Sequence, residues 1–406
     1  MHYQQHTLPN GLRIIHMPST SDVSYCGFAV NAGTRDELVT ESGMAHLVEH
    51  MIFKGTDKRR SWHILNRMEK VGGELNAYTT KEETFVYSVF LEENFDRASE
   101  LLCDLVLNSR FPENELEKET DVILDEINSY RDNPPELIYD EFENKLFQGH
   151  ALGRNILGTE ESLESFSPEM GRDFLCKWYR PENMVFFSTG KTDFKKVVRA
   201  LEKYFNPDPA VWKGNQRQAP TLYTPTHLRE ERDTHQGHVI IGNRAFNMFD
   251  PRRASLALLN NMLGGPGMNS RLNLSLRERR GYVYNVESAF TPYSDTGVFS
   301  VYFGCDQKNL NKCIELVHKE LKDFRDKSLT SSQLEGAKRQ IKGQLGISND
   351  NKENVTMGMA KSYLHYNRFD TLDEAYRKIQ NITANDILET ANEIFDESKL
   401  STLIYV

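Results

Sequence analysis

Five consecutive residues, His46-Leu47-Val48-Glu49-His50, carry the clearest chemistry in this chain. Histidines four apart lie one above the other on a helix face, so their ring nitrogens can meet at one ion. Glu49, next to His50, projects close to the same point. The order H-x-x-E-H reverses the commoner zinc-peptidase order H-E-x-x-H. Zinc at a catalytic site takes three protein ligands and leaves one position for water. The motif supplies two ligands and a base, so a third ligand is needed elsewhere. Two histidines on an amphipathic helix are also found as plain surface or core residues. With twelve histidines in 406 residues, the pattern can arise by chance.

The third ligand is sought on an acidic helix over about 113–131. Most of its carboxylates read as a solvated face or as favourable first-turn acids. Glu119 and Glu126 differ, because seven residues make two helical turns and put both on one face. Val122 and Ile123 lie between them, so that face points at least partly inward. A buried carboxylate needs a cation or hydrogen-bond partners, and a zinc ion brought by the first helix meets that need. For Glu119 a plain helix-surface carboxylate is the alternative.

The elements that must position these residues are legible in outline. Two short arms flank Pro9-Asn10-Gly11, a hairpin turn sequence. A strand follows at 23–30, then the motif helix at about 43–53 and another helix at 61–71. Gly72-Gly73 breaks that helix before a strand at 75–79, and a strand-rich run, ETFVYSVFL, covers 83–91. Helices are expected at 95–108 and 113–131, the second ended by Pro134-Pro135. A strand at 184–188 and a helix at 193–204 close this half. Residues 206–226 hold Pro207, Pro209, Pro220 and Pro225 among polar filling such as 213–216, and read as a linker.

The second half repeats the first faintly. Strands are expected at 239–242, 282–288 and 297–303, and helices at 254–263, 310–325 and 331–345. ENELEKETDVILDEI aligns with SSQLEGAKRQIKGQL, and WYRPENMVFFSTG with IFDESKLSTLIYV. A period of about 200 residues implies a duplicated αβ domain, since solenoid repeats run only about 20–50. The alignment sets Ala257, Asn260 and Asn261 against His46, Glu49 and His50. It sets Ala337 and Gln344 against Glu119 and Glu126. The second copy therefore lacks every ligand, and one zinc per chain is expected. His235 and His238, three apart before a strand, have no matching third ligand and read as structural or exposed.

Composition bounds the rest. The chain is long enough for two domains of roughly 200 residues each. With 38% hydrophobic and 27% charged residues it has a soluble globular balance. No apolar run approaches the roughly eighteen residues of a membrane span, so no membrane partner is expected. The opening MHYQQHTLPNGLRIIHMP lacks a secretory pattern, which points to the cytoplasm, although a removed leader would leave no trace. Five cysteines with no C-x-x-C pair argue against a disulfide framework and a cysteine zinc site, and most read as buried thiols. Net charge is −10, and basic clusters such as Lys58-Arg59-Arg60 are short, so a nucleic-acid partner is not expected.

Taken in order, several motifs resemble the pitrilysin/insulinase-type zinc metallopeptidases, and among them the short members like the mitochondrial processing peptidase and its bacterial relatives. They are Gly43-Met44-Ala45-His46-Leu47-Val48-Glu49-His50-Met51; Gly72-Gly73-Glu74-Leu75-Asn76-Ala77-Tyr78-Thr79-Thr80; Glu126, 76 residues beyond His50; Ser270-Arg271-Leu272; and Leu276-Arg277-Glu278-Arg279-Arg280-Gly281-Tyr282-Val283-Tyr284. The resemblance covers nearly the whole chain. It implies His46, His50 and Glu126 as zinc ligands, Glu49 as the base and Glu119 as a supporting acid. It implies Arg277 and Tyr284 as a substrate-binding pair near the metal, which without it would read as a surface arginine and a core tyrosine. In the family's short members such a pair can come from a partner subunit. Asn76 and Ala77, on a strand that can hold an extended peptide, are the expected substrate contacts; a strand with no contact is the alternative.

The expected fold is α+β: two homologous αβ domains, each a mostly antiparallel sheet with helices packed on one face. Residues 1–205 form the zinc-binding domain, 206–226 the linker, and 227–406 a ligand-free domain that binds substrate. The expected function is a zinc-dependent endopeptidase acting on unfolded peptides inside a clamshell of paired domains. The runner-up is a non-catalytic peptide-binding or scaffolding subunit, although such relatives typically lose the zinc motif. A structural metal protein would need a closed fourth ligand, and none is visible. Peptide substrates are the expected partners, in a homodimer or in a heteromer with a degenerate homologue.

Overall fold

The computed structural model describes residues 3–207, 212, 214–221, 223–232 and 234–406. Parts of the expected linker, Pro209 and Lys213 among them, lie outside the described residues. The first half of the chain runs β1 (Gln4–Thr7), β2 (Arg13–Pro18), β3 (Val23–Val30), α1 (Met44–Met51), α2 (Ser61–Glu69), β4 (Glu74–Thr79), β5 (Thr84–Leu91), α3 (Phe95–Asn108), α4 (Glu113–Arg131), α5 (Pro134–Leu146), α6 (Glu160–Glu164), α7 (Pro168–Trp178), β6 (Met184–Gly190) and α8 (Phe194–Tyr204). The second runs β7 (His227–Glu230), β8 (Gly237–Ala245), α9 (Arg253–Gly264), β9 (Val283–Pro292), β10 (Gly297–Cys305), α10 (Leu310–Asp326), α11 (Ser331–Ser348), α12 (Lys352–Tyr366), α13 (Leu372–Gln380), α14 (Ala384–Ile394) and β11 (Ser401–Tyr405).

Two mostly antiparallel sheets result. The first has the order β1-β2-β6-β3-β5-β4 and the second β7-β11-β8-β10-β9. With β1 set aside, the two orders superpose strand for strand. Each has a single parallel pair at the same place, β2 with β6 and β7 with β11. The faint internal repeat is therefore a duplicated αβ unit. The central strand β6, MVFFSTG, is buried at every residue, which explains its unbroken apolar character.

The compact units interleave along the chain. One comprises Met1–Asn128, Arg154–Arg217 and Ser348–Thr371; the other comprises Ser129–Gly153, Gln218–Ile347 and Leu372–Val406. The division at 205 and 226 read from the sequence is contiguous, and the packing follows this different one. Each sheet has one face under helices of its own half and the other under one helix from the opposite half. In the first sheet, Ile15, Ala29, Phe85 and Phe187 pack on Met359, Ala360, Tyr363 and Leu364 of α12. The alternate residues Phe28 and Phe186 turn the other way, with Phe28 stacked on Phe205 after α8. In the second sheet, Ile240, Val298, Tyr302 and Leu403 pack on Ile138, Phe142 and Leu146 of α5. The expectation of helices on one face omitted these two exchanged helices. Each large apolar side chain buried there contributes about 1.5–3 kcal/mol.

Polar ties fix α12 on the first sheet. His365 Nε2 lies 2.7 Å and Lys361 Nζ 2.9 Å from Glu83 Oε1, and the Thr80 hydroxyl donates to Glu83 Oε2 at 2.7 Å. Burial alone would raise the Glu83 pKa, but His365 and Lys361 outweigh it and hold it at about 2. Arg13 donates to the carbonyls of Tyr363 and Leu364 at the helix end, 3.2 Å each.

Candidate active site

The motif helix α1 begins abruptly. Gly43 precedes it with φ +93°, a left-handed conformation that glycine adopts without strain, and supplies no side-chain cap. The orphan N–H groups of the first turn are met from outside by Glu37. Its Oε2 accepts from Gly43 N at 3.0 Å and its Oε1 from Ala45 N at 2.8 Å. A carboxylate at a helix N-terminus also complements the helix dipole. Glu37 is buried, and burial pushes its pKa up against the two N–H donors and Arg154. Arg154 in turn donates to the carbonyls of Glu37 and Leu38. The sequence reading missed Glu37; an acid six residues before a glycine-started helix is its only local signal.

On α1, His46 and His50 stand 4.6 Å apart between ring centroids. Their Nε2 atoms lie 3.8 and 4.0 Å from Glu126 Oε2 on α4. Among the described residues, these three are the only group of histidines, cysteines and carboxylates arranged to hold a metal, with ligand atoms within 4.8 Å of one another. Distances of 3.8–4.0 Å are too long for hydrogen bonds. Three neutral or anionic donor atoms gathered this closely are the kind of donor set that zinc takes.

His46 makes the fit specific. Its ring is buried, its Nδ1 has no hydrogen-bond partner among the described residues, and its Nε2 lies 3.8 Å from Glu126. Burial, and then the neighbouring His50, lower its pKa to about 3. A neutral imidazole is the metal-binding form, and here its Nε2 is turned towards Glu126, where a cation would sit. His50 is oriented by Glu119, whose Oε2 lies 3.0 Å from His50 Nδ1, while Lys54 ion-pairs with Glu119 Oε1. A proton held on Nδ1 leaves Nε2 free to ligate. Glu119 is buried beside Ile123, whereas Val122 is 49% exposed. The inward face of α4 thus runs through Glu119, Ile123 and Glu126, not through Val122.

Glu49 sits beside Thr79, the last residue of β4. The Thr79 N–H and hydroxyl lower the Glu49 pKa less than burial raises it, and the hydroxyl makes no hydrogen bond of good geometry. Asn76 and Ala77 lie on β4, half-buried. In the sheet, β4 is an edge strand, paired with β5 alone.

In the second unit, Arg277 lies in a turn of π-helix over Asn273–Glu278, and its guanidinium carbon lies 5.9 Å from the ring centroid of Tyr284. The two are brought together, but Tyr284 is 86% exposed and not a core tyrosine. Asn260 and Asn261 line a cavity of about 430 Å³ with Gly264–Gly267, Ser270 and Arg277. This cavity stands where α9 repeats α1, without ligands. His238 is buried against the Tyr302 hydroxyl at 2.9 Å and His235 is exposed, so neither joins a metal group. Four cysteines are buried, and Cys176 is exposed.

Known proteins are similar to this chain along its whole length. Residues 13–160 match the family model described as Insulinase (Peptidase family M16), and 165–341 the one described as Peptidase M16 inactive domain. An uncharacterized zinc protease of Bacillus subtilis, YmxG, is 31% identical over 99% of this chain and 98% of its own length. The chain belongs to the insulinase-type peptidase family M16. An uncharacterized zinc protease of Rickettsia bellii is 33% identical over 98% of this chain and 96% of its own length. The M16 fold recurs in the crystal structure of a protease from Helicobacter pylori, with TM-score 0.92 at 22% identity over 100% and 99% of the two chains. It recurs in a peptidase M16 inactive domain from Pseudomonas fluorescens, with TM-score 0.90 at 19% identity over 100% and 98%. No helix among the described residues is long and apolar enough to cross a membrane.

Proposed function

We propose that this M16 protein is a zinc-dependent endopeptidase that hydrolyses unfolded peptides. The observation that carries the reading is the convergence of His46, His50 and Glu126 with Glu49 one residue from His50. His46, His50 and Glu126 would hold one zinc per chain. Zinc there would supply a Lewis acid and lower the pKa of a water towards about 7 from roughly 15.7. Glu49, made more basic by burial, accepts the proton of the attacking water and passes it to the leaving amine. Glu119 keeps His50 in the ligating tautomer. A peptide laid along the free edge of β4 gains backbone hydrogen bonds and passes Asn76 and Ala77 before reaching Glu49 at the end of the strand. Such binding reads backbone and requires a locally unfolded substrate, and the family resemblance adds that paired domains enclose it. Arg277 would donate to a peptide carbonyl and Tyr284 to the oxygen that gains charge, from this chain or from a second copy.

The match of residues 165–341 to a model described as an inactive domain favours one other reading, a non-catalytic peptide-binding subunit. The intact ligand set with its base weighs against it. Glu49→Gln separates the two. The variant should retain zinc by atomic absorption and lose cleavage of a mixed peptide library that the parent cuts and chelator stops. A parent that binds peptides but leaves them whole with zinc loaded establishes the subunit reading.

A further inference from the structure

The short basic run near residue 58 is not used by the peptidase reading. Lys58 and Arg59 join Trp62, Arg67 and Lys70 of the α2 segment, and Arg97 of α3, around a cleft of about 300 Å³. Five cations line it and no carboxylate does. Behind the wall, Glu100 takes Arg59 at 2.6 Å and Arg67 at 3.1 Å, and Asp104 takes Arg59. Those two acids offset two of the five charges. Lys58, Lys70 and Arg97 have no carboxylate partner among the described residues. Arg97 is held in place by donating to the Arg67 carbonyl at 2.9 Å. Arg67 Nε is buried and has no hydrogen-bond partner. A chain of net charge −10 thus gathers cations without carboxylate partners around one cleft, a local positive potential that favours an anion.

We propose that this cleft binds a phosphoryl-bearing polyanion. Several cations around so small a volume call for dense charge, and phosphoryl groups supply it with three acceptor oxygens each. Arginine forks and lysine ammonium groups are the side chains that recognise them. The group can come from a free oligophosphate or from a phospholipid headgroup. The site stands apart from the zinc chemistry and does not depend on it.

Trp62 reports on the cleft. It is 60% exposed with Lys70 Nζ 4.7 Å from its ring centroid, whereas Trp178 is buried and packs on Trp212. The zinc-loaded full chain is titrated with inorganic tripolyphosphate, followed by tryptophan emission, against KCl at matched ionic strength. In parallel it is sedimented with phosphatidylglycerol and with phosphatidylcholine vesicles. The expected result is a saturable change with tripolyphosphate that Trp62→Phe removes. Lys58→Ala/Lys70→Ala should raise the half-saturation concentration about tenfold, the loss of two modest charge-assisted contacts. Neither lysine is in an ion pair among the described residues, so the double variant should melt with the parent, and Arg97→Gln gives an independent loss. Binding to the anionic vesicles with no response to tripolyphosphate supports the site and identifies a headgroup as its source. No saturable response and no vesicle binding, or a double variant that titrates like the parent, overturns the proposal.

Discussion

Glu37 offers the sharpest test of how the fold holds the metal helix. Its two oxygens meet N–H groups at 2.8 and 3.0 Å, and it is 4% exposed. Glu37→Gln keeps the shape, but one end becomes an NH₂ group that faces a donor. One charge-assisted bond becomes neutral, and one buried N–H is left without an acceptor. Together these cost roughly 1.5–5 kcal/mol, from about 1.5–3 for a charged bond against about 1 for a neutral one, plus about 1–3 for the orphaned donor. Glu37→Asp keeps the charge and shortens the arm, so it should fall between the parent and Gln. A chain of two compact units need not unfold in one step. The reporter is therefore the urea transition at which zinc is released to a chromophoric chelator. That midpoint should drop, and zinc affinity of the folded variant should fall with it, because His46 directly follows Ala45. A shift worth less than about 1 kcal/mol would refute the reasoning. It would mean that Glu37 is held as a neutral acid, which Gln mimics, and does not anchor the helix as a carboxylate.

Two further predictions follow from other contacts. Glu119→Ala removes the acceptor from His50 Nδ1 and frees Lys54, so zinc affinity should weaken about 10–100-fold by competition titration while the zinc-loaded variant still cuts peptides; unchanged affinity would make Glu119 a bystander. Glu83, lowered to about 2, contributes stability that is fully present above its unfolded pKa near 4.5 and is lost as pH falls towards 2; on the order of 3 kcal/mol is at stake. Urea unfolding of the zinc-free protein across that window should show the acid loss in the parent and a flatter profile in Glu83→Gln.

Much of the fold was legible because its signals are local. The strand at 23–30 and the helices at 95–108 and 113–131 stand where period and turn residues put them. Pro134-Pro135 misled in one respect: they stop α4, yet they also open α5, since proline's missing N–H costs nothing in a first helical turn. The exchange of α5 and α12 between the sheets has no local signal. An amphipathic helix states that it needs an apolar face, and not which sheet provides it.

The same divide runs through the site. The spacing of His46, Glu49 and His50 settles their relation by itself, because a helix carries fixed geometry. The seven-residue step from Glu119 to Glu126 likewise ensures a shared face. Only the tertiary structure decided that this face meets α1, with Glu126 opposite both Nε2 atoms and Glu119 opposite His50 Nδ1. Convergence of side chains from distant segments depends on packing through the core, which no local pattern encodes. For the same reason Glu37 and the cleft around Lys58 emerged only when separate segments were brought side by side.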